Sequence, residues 1–280
     1  MITSGQNSKI KLIRALQGRP KERRAAGAFL AEGVRLVEEA LAAGWPFRFA
    51  LYGEGLGERG RELVGQLEEK RVEVEPVSDR LLQSISETET AQGLLAVLDH
   101  HPLPIPEDLD FVLLPDAIRD PGNLGTLLRS AAAAGVQAVL IPPETTDAFA
   151  PKVVRAGMGA HFRLPIHALT WDEIHVHLSG LKVYLAEAGG GLACWQADFR
   201  SRLALIVGGE AQGASVQASQ SAAQRVCIPI PGKMESLNAA AAGAILMFEV
   251  VRQREVNSNQ SSVTSHQYTD NPLFVSRFWL

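Results

Sequence analysis

From residue 110 onward, short apolar runs recur between stretches of helical spacing, and this alternation constrains the fold more than any other feature of the chain. Phe111-Val112-Leu113-Leu114, Ala138-Val139-Leu140-Ile141, Phe162-Arg163-Leu164-Pro165-Ile166, Val183-Tyr184-Leu185-Ala186, Leu203-Ala204-Leu205-Ile206-Val207 and Val226-Cys227-Ile228 read as strands. Strands that are apolar at nearly every position have no face to leave in water. They predict an α/β fold with a mostly parallel sheet covered by helices on both sides. Helices are expected from about Leu124 to Ala134, stopped by Gly135, and from about Leu237 to Arg254.

Upstream, Phe29-Leu30-Ala31-Glu32-Gly33 leads into a helical pattern of Val34, Leu36, Val37, Ala40 and Leu41, closed by Gly44. Arg71-Val72-Glu73-Val74 alternates like a half-buried strand, and Gly93 to Leu98 reads as another. Residues 25–99 therefore form a small α/β unit. The stretch 100–109, HHPLPIPEDL, carries three prolines and is the expected linker. A chain of 280 residues suits about two domains, here 1–99 and 110–255 on either side of it. Residues 256–280 form a polar tail expected to be disordered in part, with the final NPLFVSRFWL either packed back or free.

Several classes are excluded early. The longest apolar-rich stretch, Leu237 to Val251, is 15 residues and too short for a bilayer, and the basic start has no apolar export segment after it. Two cysteines, Cys194 and Cys227, cannot build a secreted disulfide framework, so reduced thiols and a cytoplasmic setting are expected. The seven histidines make no metal case: His175 and His177 point different ways from one helix, and His100-His101 sit in the linker.

The net charge of −4 speaks against a nucleic-acid partner until it is resolved along the chain. Residues 1–24 hold Lys9, Lys11, Arg14, Arg19, Lys21, Arg23 and Arg24 against Glu22 alone, whereas residues 25–109 carry a surplus of nine acids. The basic start is either a phosphate-binding arm or a helix face with its cations in water.

Three loops at strand ends carry polar and glycine residues, at the edge where open α/β sheets bind ligands. In the first, Asp116 to Ser130, Pro121-Gly122 is turn chemistry, Asn123 is a good helix N-cap and Arg129 follows within two turns. By itself this also describes a capped helix with a surface arginine. The second, Val207-Gly208-Gly209-Glu210-Ala211-Gln212-Gly213, lets a ligand approach the backbone, but it is neither GxGxxG nor a P-loop. In the third, Ile228-Pro229-Ile230-Pro231-Gly232 leads through Lys233-Met234-Glu235 to Ser236-Leu237-Asn238 and an Ala-rich helix suited to close packing.

In this order, Asn-x-Gly-x-x-x-Arg-Ser, Gly-x-Glu-x-x-Gly and Ile-Pro-x-x-Gly-x-x-Glu-Ser-Leu-Asn resemble the three motifs of the SpoU (TrmH-like) RNA ribose 2′-O-methyltransferases of the SPOUT superfamily. The resemblance covers about residues 110–254 and includes the segment Arg155 to Pro165. Residues 9–99 resemble the small L30-like substrate-binding domain that precedes many members.

The resemblance implies a C-terminal trefoil knot, S-adenosylmethionine as cofactor, a homodimer whose subunits complete each other's sites, and RNA, ribosomal in kind, as substrate. It places Asn123, Arg129, Glu210, Ser236 and Asn238 in the catalytic site. Gly208, Gly209, Glu210, Gly213, Ile228, Ile230 and Leu237 fall at the cofactor. The RNA contacts expected are Arg129 and Arg119, with Lys9, Lys11 and Arg14 added from the charge of the arm. The dimer is expected through the helix from Leu237 to Arg254 and the first-motif surfaces. No metal is implied, since a sulfonium methyl needs none.

The family has favoured Arg129 as base. A guanidinium stays protonated in proteins, so its expected role is to bind the substrate phosphate and 2′-oxygen. The chain departs from the common second motif at Gly209, Ala211 and Ala214, which bears on loop stability and cofactor affinity. Competing classes are an inactive RNA-binding protein of the same fold, a tRNA ribose methyltransferase, and a nucleotide-binding oxidoreductase. The last is disfavoured by the missing GxGxxG.

Overall fold

In the computed structural model, which describes residues 1–86, 93–209 and 213–262 (side chains to Val256), the chain builds two sheets. The first unit comprises α1 (Ser8–Gln17), α2 (Pro20–Ala26), β1 (Ala28–Glu32), α3 (Val34–Ala42), β2 (Phe47–Tyr52), α4 (Glu58–Glu69), β3 (Val74–Pro76), α5 (Asp79–Ile85) and β4 (Leu94–Asp99). Its four strands are ordered β1-β4-β2-β3, with β4 antiparallel to both neighbours and β2 parallel to β3. The Asn7 side chain accepts the Lys9 N–H at the start of α1, whose Ile10, Ile13 and Leu16 are buried on one face. Arg71 takes a left-handed φ of 61°, which delays the expected strand 71–74 to Val74.

The second unit holds β5 (Phe111–Asp116), α6 (Pro121–Ala133), β6 (Ala138–Ile141), α7 (Pro151–Gly157), β7 (Ile166–Ala168), α8 (Trp171–His177), β8 (Lys182–Ala186), β9 (Leu192–Ala193), β10 (Leu203–Gly208), α9 (Val216–Ser221), β11 (Gln224–Cys227) and α10 (Ala239–Ser262). Among the described residues every ladder of this sheet is parallel, in the order β7-β6-β5-β10-β8-β11-β9. Two buried apolar clusters cover its faces. One includes Leu113, Leu127, Leu205 and Met247, and the other Leu114, Leu140, Ile174 and Ile206. The double-sided burial that the apolar runs predict is therefore present.

Three local expectations differ from what the chain does. The run 162–166 is not one strand: left-handed Met158 and Gly159 turn the chain into a 3-10 turn over Ala160–Phe162, and pairing starts only at Ile166. The cap of α6 is Asp120, whose Oδ1 accepts the Asn123 N–H at 2.8 Å with Pro121 in the first turn. Asn123 is thus inside the helix and its side chain is released from capping. The last helix opens at Ala239, capped by Asn238, and continues to Ser262, so the start of the expected polar tail is helical. Arg254 fastens it by donating to Asp110 Oδ2 at 2.6 Å and to the carbonyls of Phe199 and Ser201.

Glycine sets two helix contacts. A Cβ on Gly125 would strike Ala156 and the Val153 carbonyl, so α6 and α7 pack backbone to backbone, and a Cβ on Gly243 would strike Leu127, which brings α10 onto α6.

The stretch 100–109 lies against both units rather than spanning open water. His100 N–H donates to the Gly27 carbonyl, and a ring nitrogen of His167 lies 2.7 Å from the Leu103 carbonyl. Phe29, Leu36 and Trp45 from the first unit share one buried cluster with Val154 and Phe162 from the second.

Candidate functional site

The carboxyl ends of β10, β8 and β11 and the start of α6 converge on a cleft of about 780 Å³. Its floor is Val207, Gly208 and Gly209 at the end of β10. Its walls come from Asp120 and Asn123 of α6, Glu187 and Ala188 after β8, Ile228 and Ile230 after β11, and Ser236, Leu237 and Asn238 before α10. All three motifs of the sequence thus meet in one place, although Asn123 and Asn238 lie 115 residues apart.

Each wall has a local cause. Asn238 does two jobs: its Oδ1 accepts the Ala240 and Ala241 N–H groups at 3.0 and 3.1 Å, and its Nδ2 donates to Asn123 Oδ1 at 2.9 Å. The helix cap and the bridge between the first and third motifs are one side chain.

Gly208 must be glycine because a Cβ there would lie 2.8 Å from Ala214 N. Gly209 must be glycine because its Cβ would run into the Ala117 carbonyl. Ala117 itself is left-handed, at φ 54°. The departure at Gly209 is therefore matched by the close approach of the 116–118 backbone.

Below this floor Asp116 is fully buried, accepting the Ser215 N–H at 2.6 Å and the Ser215 hydroxyl at 3.1 Å. Burial pushes its carboxyl above the usual range, against the pull of the two Ser215 bonds. Asp116 and Ser215 escaped the sequence reading. The signal available was an acid ending an apolar run and a serine just past the glycine motif.

Of the residues expected at the cofactor, Gly208, Gly209, Gly213, Ile228, Ile230 and Leu237 line the cleft, as do Asn123, Ser236 and Asn238 from the catalytic set. Glu210 lies outside the described residues. Arg129 does not line the cleft: it is exposed on α6, six residues from Asn123. At about 100° and 1.5 Å per residue it points roughly 120° away and about 9 Å further along the helix. Spacing within two turns is no guarantee of a shared face.

Arg119 is exposed 3.7 Å from Glu144. In the arm, Lys9 is ion-paired with Glu73 and Glu75, which draws its charge into the fold, while Lys11 and Arg14 are exposed.

The cleft's chemistry is selective. Its charged side chains among the described residues are Asp120 and Glu187, both acidic, with Glu187 paired to Arg225 at 2.6 Å. An acidic, glycine-floored cleft with Ile228, Ile230 and Leu237 on its walls fits a cationic sulfonium compound with a flat apolar ring. It suits the pyrophosphate of a dinucleotide poorly. Among the described residues no group of three or more His, Cys, Asp or Glu side chains could hold a metal ion.

Comparison with known proteins agrees with this reading. The profile of the SpoU rRNA Methylase family matches residues 110–248, and that of the MRM3-like substrate binding domain matches residues 7–96. The chain is 34% identical over 253 residues to the 23S rRNA (guanosine(2553)-2′-O)-methyltransferase RlmP of Bacillus subtilis, covering 89% of this chain and 98% of that one. It is 31% identical to the 23S rRNA (uridine(2479)-2′-O)-methyltransferase of Streptomyces viridochromogenes, covering 90% and 92%. The crystal structure of the SpoU methyltransferase AviRb from S. viridochromogenes in complex with AdoMet superposes with a TM-score of 0.80 at 30% identity, covering 89% of this chain and 99% of that chain.

Proposed function

This chain belongs to the SpoU rRNA methylase family, and we propose that it uses S-adenosylmethionine to methylate a ribose 2′-hydroxyl of ribosomal RNA. The observation that carries the reading is the cleft itself, where glycine backbone, apolar walls and acidic side chains meet beside the Asn123–Asn238 pair. When bound there, the cofactor supplies an electrophilic methyl on its sulfonium sulfur. Gly208, Gly209 and Gly213 offer backbone groups to its polar ends, and Ile228, Ile230 and Leu237 offer apolar contact. Asn123, Ser236 and Asn238, with Glu210 of the second motif, orient the incoming ribose.

The 2′-hydroxyl is a poor nucleophile, and cationic hydrogen bonding to the developing oxyanion lowers its barrier. In our reading Arg129 provides this from a second subunit. It is exposed and outside its own cleft, and the neighbouring helix α10 exposes Phe248 (48%) and Ile245 (45%), an apolar face that a second copy would cover. The knot that the resemblance implies finds support in the strand order, with late β10 inserted between β5 and β8 and α10 returning to α6. The unit before residue 100 would be the L30-like RNA-binding domain, residues 100–109 its junction and 110–255 the methyltransferase domain. Lys11, Arg14 and Arg119 are its outward RNA contacts. No helix among the described residues is long and apolar enough to cross a membrane. From its likeness to bacterial 23S rRNA methyltransferases we place the protein in the cytoplasm with its RNA.

The test is incorporation of labelled methyl from S-adenosylmethionine into protein-free ribosomal RNA, followed by mapping of 2′-O-methyl sites. Incorporation into transfer RNA instead, or binding of both ligands with no transfer, would replace the ribosomal reading. In the same assay Arg129→Lys separates roles, since near-full rate with unchanged RNA affinity would remove Arg129 from catalysis.

A further inference from the structure

We propose that the seam between the two units, centred on Arg23 and Asp147, is the element that sets which ribose is presented to the cleft. The inference rests on the function proposed above. Arg23 belongs to the basic arm yet is only 5% exposed. Its Nη1 donates to the Leu16 and Gly18 carbonyls at 2.7 and 2.9 Å, which ties α1 to α2. Its Nε and Nη2 both reach Asp147 Oδ2 of the other unit at 2.7 Å. A buried guanidinium with this many fixed partners is a strut, not an RNA contact.

The loop that carries Asp147 continues the connection. Asp147 Oδ1 accepts the Phe149 N–H at 3.0 Å, and the Phe149 ring packs on Phe29 of the first unit with centroids 5.1 Å apart. Two residues earlier, the Thr145 hydroxyl donates to the Pro115 carbonyl at 2.8 Å, and Thr146 N–H donates to the Ile118 carbonyl at 2.9 Å. Pro115 and Ile118 bracket Asp116 and Ala117, the pair that holds the floor of the cleft. The path from arm to cleft is thus a run of short, directional bonds through one loop.

A second path runs alongside it. Helix α7 packs on β1 on one side and, through Gly125, on α6 two residues beyond Asn123. Arg163 pairs with Glu39, and the rings of Trp45 and Phe162 lie 5.3 Å apart. A ten-residue linker alone would let the two units drift by on the order of 10 Å or more, enough to change which nucleotide reaches a cleft fixed in one of them. The two paths, joined at Phe29, remove that freedom only together. Arg23 and Asp147 are accordingly positioning residues, acting on site choice through the geometry of the whole enzyme.

The experiment uses the full chain with protein-free ribosomal RNA and maps 2′-O-methyl groups at nucleotide resolution. Three variants are compared: Asp147→Asn, Arg23→Ala and the conservative Arg23→Lys. Asp147→Asn keeps the shape of the side chain and guards against loss of folding in Arg23→Ala. We expect the ratio of methylation at the main site to that at all other riboses to fall at least fivefold in the first two. Arg23→Lys, which keeps a donor cation facing Asp147, should retain part of it, and S-adenosylmethionine affinity by calorimetry should stay within twofold in all three. An unchanged ratio, with total rate falling in step with thermal stability, overturns the proposal and leaves the seam a stabilising contact. Absence of ribose methylation by the wild type overturns the functional reading and this inference with it, so the two failures are told apart by the wild-type lane.

Discussion

The seam between the two units and the cleft over β10 solve opposite problems. The seam is made of side chains: Arg23 on Asp147, Phe29 on Phe149, Trp45 on Phe162. Its backbone groups are spoken for and its rings interlock. The cleft is made largely of backbone: Gly208 and Gly209 lie against Ala214 and Ala117, and the space above them stays open. A permanent contact is best built from packed and paired side chains, while a ligand needs unpaired backbone groups held from below. Burial also divides the cations of the arm between two kinds of work. Arg23 is buried and fixed, whereas Lys11 and Arg14, on the same arm, face water.

Substitutions sharpen this contrast, with the largest effect expected at the cleft floor. Gly209→Val forces a side chain into the Ala117 carbonyl, and we expect S-adenosylmethionine binding to fall at least a hundredfold by calorimetry while the seam stays intact by proteolysis. Binding within threefold of wild type would show that the floor is softer than the geometry implies.

At the seam, Arg23→Ala strands the Asp147 carboxylate, which keeps about a fifth of its surface, and removes two carbonyl partners. A loss of about 3 kcal/mol in unfolding free energy is expected, measured by chemical denaturation.

His161 backs the seam, and its behaviour with pH checks how dry that region is. Its ring is fully buried, with Nε2 2.7 Å from the Ala148 carbonyl, and burial holds its pKa down to about 4. The unfolded chain takes up this proton near pH 6.5 and the folded chain only near 4. Stability from this group is complete above about 6.5 and is lost as pH falls through 4, by roughly 3 kcal/mol in all. Thermal melts between pH 7 and 4 should show the decline, and His161→Gln should flatten it.

Asn238→Asp sits between the two regions in kind: it keeps the cap on α10 but loses the amide that bonds Asn123. A fall in kcat of tenfold or more is expected with a change in Tm of only a few degrees. A large drop in Tm with kcat intact would make the residue a cap only. The smallest effect is expected on the arm. Lys11→Glu with Arg14→Glu should lower the slope of log affinity for RNA against log salt by about 2. Lys9→Glu should lower it less, because Glu73 and Glu75 already take up that charge.

Much of this was legible in the chain. The apolar runs marked β5, β6, β8 and β10 within a residue or two, because a strand covered on both faces must be apolar at almost every position. The glycines of the second motif, together with Ile228 and Asn238, announced a ligand edge. What failed was local geometry that depends on neighbours. Asp120 and Asn123 are both good caps; in the fold Asp120, followed by Pro121, takes the cap, and the Asn123 side chain bonds Asn238 instead. Phe162 reads as a strand residue by its hydrophobicity, yet it is drawn into the seam by Trp45 and Phe29.

The period of the apolar runs was enough for the layered α/β class, and the resemblance of the three motifs was enough to point to the family and to the ligand of the cleft. That Arg23 is a strut, that Lys9 is already paired and that residues 100–109 lie against both units appears only in the folded chain. Each of these depends on which surfaces meet, and burial and partners far along the chain set that, which no local spacing encodes.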